Sequence, residues 1–333
     1  MLVLMKKGWF DMKNLLKKIV SIICVVALLG SMAVFADEFK DIPEDWSKDG
    51  ILKAIETGLL NGDDGYVRPK DPMTRAEMGT IMTRAFGATK VADISMFKDV
   101  KKDQWFYDYM AKAVAMGAFK GDGENLRPNS NISRQEAMVV LSRLFDMESD
   151  NLSVLDQFSD KNKIQDWAKA GVAAVVESGY VKGSDGKVNP EANITRAEFA
   201  TIMSRMVGGY YVTSNVFTYP EGKVITENII IHSKTAAFEN FVSPGIIIVG
   251  DGVDGGEIFF KNVTSTGKIL IRGNNCIVDL TTGTYKDVKV LGTNVTVKIG
   301  EDNIEKLDMG EGNFFELAVG GEEVAEETEE VTE

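Results

Sequence analysis

The chain is short of the residues from which most catalytic and metal centres are built. Its 333 residues include one histidine and two cysteines. That is too few soft ligands for a four-ligand zinc site unless carboxylates complete it, and too few thiols for a disulfide framework. Histidine-based catalysis is nearly excluded by the same count, and no cofactor or metal is expected. Positive charge is also scarce: 37 Lys and Arg stand against 50 Asp and Glu, a net charge of −13. Nucleic-acid affinity rests on cationic neutralisation of phosphates, so no nucleic-acid partner is expected. Long apolar runs are missing as well. The stretch Ile19 to Leu29 has about eleven residues, well under the ~20 that cross a bilayer as a helix, and no permanent transmembrane segment is expected. What remains is ordinary globular composition, 44% hydrophobic and 26% charged, in a chain long enough for about two to three domains.

Lys6, Lys7, Lys13, Lys17 and Lys18 precede the apolar stretch, and Gly30, Ser31 and Val34-Phe35-Ala36 follow it. That order is a secretory signal peptide, expected over residues 1–36. Cleavage after Ala36 leaves Cys276 as the one thiol, so packing rather than disulfides must hold the fold, which suits a bacterial envelope. At the other end, the glutamate-rich run 321–333 reads as an acidic, disordered tail.

Between these ends one unit occurs three times. Phe39-Lys40-Asp41 recurs as Phe97-Lys98-Asp99 and Phe158-Ser159-Asp160. Trp46, Trp105 and Trp167 follow, then a glycine step ending at Gly62, Gly121 and Gly183, then Pro69, Pro128 and Pro190. The units close on Thr74-Arg75-Ala76-Glu77, Ser133-Arg134-Gln135-Glu136 and Thr195-Arg196-Ala197-Glu198. A period of about sixty residues places the units at 37–88, 89–148 and 149–208. Apolar periodicity predicts an opening helix in each, Trp46 to Thr57, Trp105 to Met116 and Trp167 to Ser178, stopped by glycine. A second helix is predicted over Arg75 to Phe86, Arg134 to Phe145 and Arg196 to Met206.

The closing motif fits the capping box, with Thr74, Ser133 and Thr195 as caps and Glu77, Glu136 and Glu198 reaching back. Met73, Ile132 and Ile194 are placed to staple onto Met78, Ala137 and Phe199. Capping leaves the arginines unexplained, because a cation in the first helical turn is disfavoured by roughly 0.3–1 kcal/mol. Two readings stand. Arg75, Arg134 and Arg196 receive an anionic ligand beside backbone N–H groups, or they salt-bridge an acid of a neighbouring repeat. The tryptophans read as core residues or as sugar platforms. Asp41, Asp99 and Asp160 read as loop caps or as acceptors from ligand hydroxyls. Gly62, Gly121 and Gly183 would permit close backbone approach. Asp63-Asp64-Gly65 and Gly121-Asp122-Gly123-Glu124 suggest turns rather than calcium sites, since no EF-hand loop is present.

These motifs, from about Phe39 to Met206, resemble the S-layer homology family: the Phe-x-Asp opening, the Trp, the glycine step and the Thr-Arg-Ala-Glu closing helix. The resemblance implies an all-helical pseudo-threefold trimer of repeats within one chain. It also implies non-covalent attachment to anionic secondary cell-wall polysaccharide, often bearing pyruvyl ketals, in grooves between repeats. The ketal carboxylate is an anion suited to Arg75, Arg134 and Arg196. Other S-layer or surface proteins are further expected partners, and the cell wall or S-layer of a bacterium is the expected location.

After residue 208 the composition turns to β-branched residues and glycine. Short apolar strings such as Ile229-Ile230-Ile231 and Ile269-Leu270-Ile271 alternate with Gly, Asn and Asp turns. Glu257, Cys276, Val295 and Phe314 recur every 19 residues, as do Ile269, Val288 and Leu307. Such a period predicts a right-handed parallel β-solenoid over 209–320, with two strands per coil; a β-sandwich is the alternative. The fold class is therefore multidomain α + β. Glycosidase or lyase chemistry needs paired or clustered carboxylates, whereas Asp251, Asp254, Asp279, Asp287, Asp302 and Asp308 are scattered and His232 is alone. The expectation is a non-enzymatic wall anchor displaying a structural or interaction β domain; the alternative is a tethered carbohydrate-active enzyme with its site in that domain.

Overall fold

The computed structural model describes residues 39–318. The expected signal peptide and acidic tail lie outside the described residues. The chain divides into two compact units, residues 39–72 with 195–204 and residues 73–194 with 205–318. The repeats hold six described helices: α1 Lys48–Glu56, α2 Arg75–Ala85, α3 Tyr107–Ala115, α4 Arg134–Leu144, α5 Lys169–Glu177 and α6 Arg196–Met206. Each opening helix starts two residues after its tryptophan rather than on it. At Trp46 the cause is local: Asp45 accepts hydrogen bonds from the Ser47 amide and hydroxyl, a turn that competes with the helix. At Trp167 a 3₁₀ turn, Asp166–Ala168, occupies the same place. Gly58, Gly117 and Gly179 end these helices with φ of 69°, 74° and 75°, the left-handed stop that glycine adopts without strain.

Helices pair across the repeat boundaries. α2 closes the first repeat and packs on α3 of the second, and α4 packs on α5 in the same way. In the other unit α6 meets α1, where Lys53 Nζ donates to the Ser204 carbonyl at 3.3 Å and a Cβ on Gly50 would lie 2.8 Å from the Thr201 Cα. The packing module is thus the closing half of one repeat with the opening half of the next. Three residues that each precede a cap are tied together. Met73 N–H donates to Ile194 O, Ile194 N–H to Ile132 O and Ile132 N–H to Met73 O, at 2.9–3.0 Å, a closed threefold ring whose side chains are fully buried.

The chain then becomes a parallel β-solenoid. One ladder stacks six rungs: β2 Val216–Val224, β4 Thr235–Ser243, β6 Glu257–Lys261, β8 Ile277–Leu280, β10 Thr296–Ile299 and β12 Phe314–Leu317. A second is built from β1 Val207–Tyr211, β3 Asn228–Ile231, β5 Ile247–Val249 and the later halves of β7 Val263–Ile271 and β9 Gly283–Val290, with β11 Ile304–Asp308 beyond. Every described pairing between these strands is parallel, so the antiparallel sandwich is ruled out. The first half of β7 continues Val242 and Ser243 of β4 before the register breaks between Ser265 and Lys268. Each full coil therefore has the expected two strands, the second bent so that the coil has three sides. Ile269, Val288 and Leu307 stack in register. The other series slips by one at each end, since Glu257 faces Ile277 and Phe314 faces Thr296, because the corners between rungs differ in length. Phe217, Phe238 and Phe260 stack through the interior with centroids 5.0 and 5.6 Å apart. Cys276 is a core residue, and burial pushes its thiol up to about 12, out of reach of thiolate chemistry.

The solenoid covers the C-terminal ends of three helices, where unpaired carbonyls and the negative end of the dipole call for donors. Gly252 N–H donates to Phe86 O beyond α2. Arg272 donates to Met116 O beyond α3 at 2.8 Å and to Leu144 O at the end of α4 at 3.4 Å, while its Nε holds Asp251 at 2.8 Å. Lys268 reaches the Asp146 carbonyl and carboxylate, and Lys289 takes the same carboxylate at 2.8 Å.

Candidate functional site: the groove between repeats

A strap of backbone in each repeat is held from both sides. Both oxygens of Asp99 accept from the amides of Leu126 and Arg127 at 2.9 and 2.6 Å. Asp41 does the same for Val67 and Arg68, and Asp160 for Val188 and Asn189. The second residue of each pair sits at φ 51–55°, so the carboxylate holds a left-handed turn in place. The carbonyl of the first residue belongs to the preceding repeat's arginine. Arg75 Nε donates to Leu126 O at 2.9 Å, and Arg134 Nε to Val188 O at 2.9 Å. Arg196 closes the set in the other unit through Val67 O at 2.7 Å, with Nη2 on Asn61 O.

This explains a cation in the first helical turn: it closes the joint between repeats. The helix-end amides expected to receive an anion are occupied as well. Arg75 and Ala76 N–H donate to Ser130 O and Pro128 O, and Arg134 and Gln135 N–H to Ala192 O and Pro190 O. Thr74 with Glu77 and Ser133 with Glu136 form reciprocal capping boxes, and Thr195 with Glu198 shows the same two bonds. Of the two readings of Arg75, the structure contains the ion pair: Nη1 lies 3.0 Å from Glu136 of the next repeat, and the guanidinium sits over the Phe119 ring.

Arg75 also lines an open cleft of about 630 Å³ between repeats. Its walls carry four cations, Arg75, Lys120, Arg127 and Arg143, against two acids, Asp122 and Glu136. Burial lowers the proton affinity of the Arg75 and Arg143 guanidinia; both stay charged in a partly desolvated wall. Burial alone would raise the Glu136 carboxyl, but hydrogen bonds from Ser133 and the charges of Arg75 and Arg127 hold it below its ordinary value. Trp167 of the third repeat closes the cleft's far side.

The tryptophans are not core residues. Trp46, Trp105 and Trp167 are 64%, 61% and 56% exposed, while the next residue of each repeat, Ser47, Phe106 and Ala168, takes the buried position. Gly62, Gly121 and Gly183 make room for their own repeat: a Cβ there would collide with the rings of Phe39, Phe97 and Phe158. Gly121 also faces the cleft. The two glycine-aspartate loops are turns, Asp63 bonding Arg68 and Asp122 accepting from the Glu124 and Asn125 amides. In the solenoid Asp251 is held by Arg272, Asp254 by Asn275, Asp279 by Thr281 and Asp287 faces Lys306.

Sequence reasoning missed Arg143. It lines the cleft beside Arg75, and no carboxylate among the described residues pairs with it. A signal existed, since Arg84, Arg143 and Arg205 lie at one position of the three closing helices, where Arg84 reaches Tyr109 and Arg205 the Tyr180 carbonyl.

Comparison with known proteins gives the same partition. Residues 38–78, 97–138 and 157–200 match the S-layer homology domain family. The surface-layer 125 kDa protein of Lysinibacillus sphaericus is 34% identical over 177 residues, 51% of this chain and 15% of that protein. An amylopullulanase of Thermoanaerobacterium thermosulfurigenes is 33% identical over 171 residues, 50% of this chain and 9% of that protein. The S-layer protein sap of Bacillus anthracis is 26% identical over 190 residues, 54% and 22% respectively. The chain thus spans less than a quarter of the length of these relatives. Residues 38–78, 97–138 and 157–200 are three S-layer homology domains, carried by a secreted protein of the bacterial cell surface and wall.

Proposed function

We propose that the repeats anchor this protein non-covalently to an anionic cell-wall polysaccharide, one bearing carboxylates such as pyruvyl ketals, and that they bind without turnover. One observation carries the reading: in a chain of net charge −13, the inter-repeat cleft concentrates four cations against two acids beneath an exposed indole. The acidic sugar pairs with Arg143 and meets the Arg75 guanidinium where it lines the cleft, and its apolar face stacks on Trp167. Arg134 and Arg196, with Trp46 and Trp105, are assigned the equivalent roles by repeat register. Asp41, Asp99 and Asp160 serve the ligand indirectly, by fixing the straps that set each arginine. The β domain is displayed as a structural or interaction module, its aspartates spent on turns and ion pairs.

The test is retention in three arms: wild type on native cell wall, wild type on wall stripped of secondary polymer, and an Arg143→Ala, Trp167→Ala variant on native wall. Wild type is expected to stay on native wall alone, and the variant to lose at least tenfold in apparent affinity. Equal retention of variant and wild type, or retention on stripped wall, overturns the assignment.

A further inference from the structure

The cleft does not end at Trp167. A second cavity of about 290 Å³ shares Val139, Arg143 and Trp167 with it and runs on beside α4 to Asp146, Met147 and Glu148. Those three residues also line a third cavity of about 510 Å³, whose opposite wall belongs to the solenoid: Lys268, Lys289 and Lys306, with Thr226 and the Gly245 turn. Three concavities thus follow one helix from its N-terminus to its C-terminus. A helix of eleven residues spans ~16 Å, longer than a single monosaccharide.

We propose that this path is an extended glycan track, in which the solenoid supplies a distal subsite for the sugar residues that follow the acidic unit in the same polysaccharide chain. The inference rests on the anchoring reading above and adds to it a site outside the S-layer homology repeats.

The chemistry changes along the track. The first cavity has an excess of cations and suits a carboxylate. In the third, three lysines stand among four carboxylates, Asp146, Glu148, Glu177 and Asp308. Asp146 is already shared by Lys268 and Lys289, Glu177 by Ser149 and Asn151, and Lys306 faces Asp287 at 3.6 Å. With its lysines already paired and one acid in excess, this wall has no cation to spare for a second carboxylate. It offers many donors and acceptors to uncharged hydroxyls, with Tyr180 as its one aromatic ring. Hydroxyl-rich, non-ionic sugar residues fit this wall, and continuity with the first cavity makes the same chain their source. Cavities of ~300–1,000 Å³ are of the size that encloses small ligands, so each of the larger two takes a short stretch of glycan.

The experiment separates this inference from the anchoring reading by fragment length. Secondary polysaccharide released from the producing bacterium's wall is sized to a single repeating unit and to long fragments, and both are titrated calorimetrically against the full secreted chain. Two variants alter the solenoid side of the third cavity: Lys306→Ala at an exposed lysine and Thr226→Trp at an exposed threonine. Wild type is expected to bind long fragments at least tenfold tighter than the single unit. Each variant loses most of that gain while its affinity for the single unit stays within twofold, which also reports an intact fold. Long fragments that bind no tighter than the single unit, or a gain that survives both variants, overturn the distal subsite and leave the anchoring reading standing. A wild type that binds neither length overturns both.

Discussion

Arg75 and Arg143 share one groove and carry opposite obligations. Arg75 is 4% exposed, and its partners are the Leu126 carbonyl, the Glu136 carboxylate and the Phe119 ring. Removing it takes a buried donor from the Leu126 carbonyl and one of two cations from Glu136, which Arg127 still holds at 3.1 Å, a change that costs about 1–3 kcal/mol. Arg143 lies at the surface without a carboxylate partner, and such positions change stability by about 0.5 kcal/mol or less. Urea denaturation should therefore separate the pair, with Arg75→Ala strongly destabilised and Arg143→Ala close to wild type. Similar losses for both would refute the division of labour. The sequence made the capping boxes readable because their partners lie three residues apart. It concealed the roles of Asp99 and Arg75 because theirs lie 27 and 51 residues away. The tryptophans misled for a different reason: an apolar ring beside a helix start looks inward, and only the buried Ser47, Phe106 and Ala168 next to them show that the inward position was already filled.

At the scale of elements, the helices and rungs were legible and their partners were not. Glycine stops and apolar periodicity placed the helices within two residues, since both signals are local. That α2 packs on the next repeat's helix depends on chain closure, which no window of sequence contains. The 19-residue step revealed the solenoid and its two strands per coil, but not that β7 and β9 each bend across two sides, because the corner between Ser265 and Lys268 falls inside a continuous strand. The contact that joins helices to solenoid was equally hidden. Arg272 sits in β-domain sequence, but its Nη groups bond carbonyls at the ends of α3 and α4, where a cation meets the negative end of the helix dipole. Arg272→Met keeps an apolar stem against Phe86 and removes every polar contact, stranding Asp251 at 12% side-chain exposure. The expected loss is about 3 kcal/mol. Adding Asp251→Asn should recover part of it, because the second change removes the charge that the first left unpaired. Strict additivity of the two losses in chemical denaturation would show that the pair is not coupled.

At the scale of the molecule, helix ends and solenoid corners act as one joint, and under the anchoring proposal load passes through it to whatever the β domain displays. Asp146 is the charge shared within it, bridging the end of α4 to Lys268 and Lys289. Burial alone would raise its carboxyl, but the hydrogen bonds and charges of the two lysines outweigh that and hold it below its ordinary value. The bond to Asp146 moves Lys289 upward in turn. A carboxyl held low in the folded state contributes stability that is complete above its unfolded value and is lost as pH falls through the folded one. Asp146→Asn is the matched probe, since asparagine also accepts the left-handed backbone found there, φ 49°. The stability gap between wild type and Asp146→Asn should hold steady from neutral pH down to about 4, the ordinary aspartate range. Below that it should shrink as the wild-type carboxyl takes up its proton. Denaturation midpoints measured across that window decide the matter: a gap that stays constant into strong acid, or widens there, would mean that the two lysines do not hold the joint through Asp146.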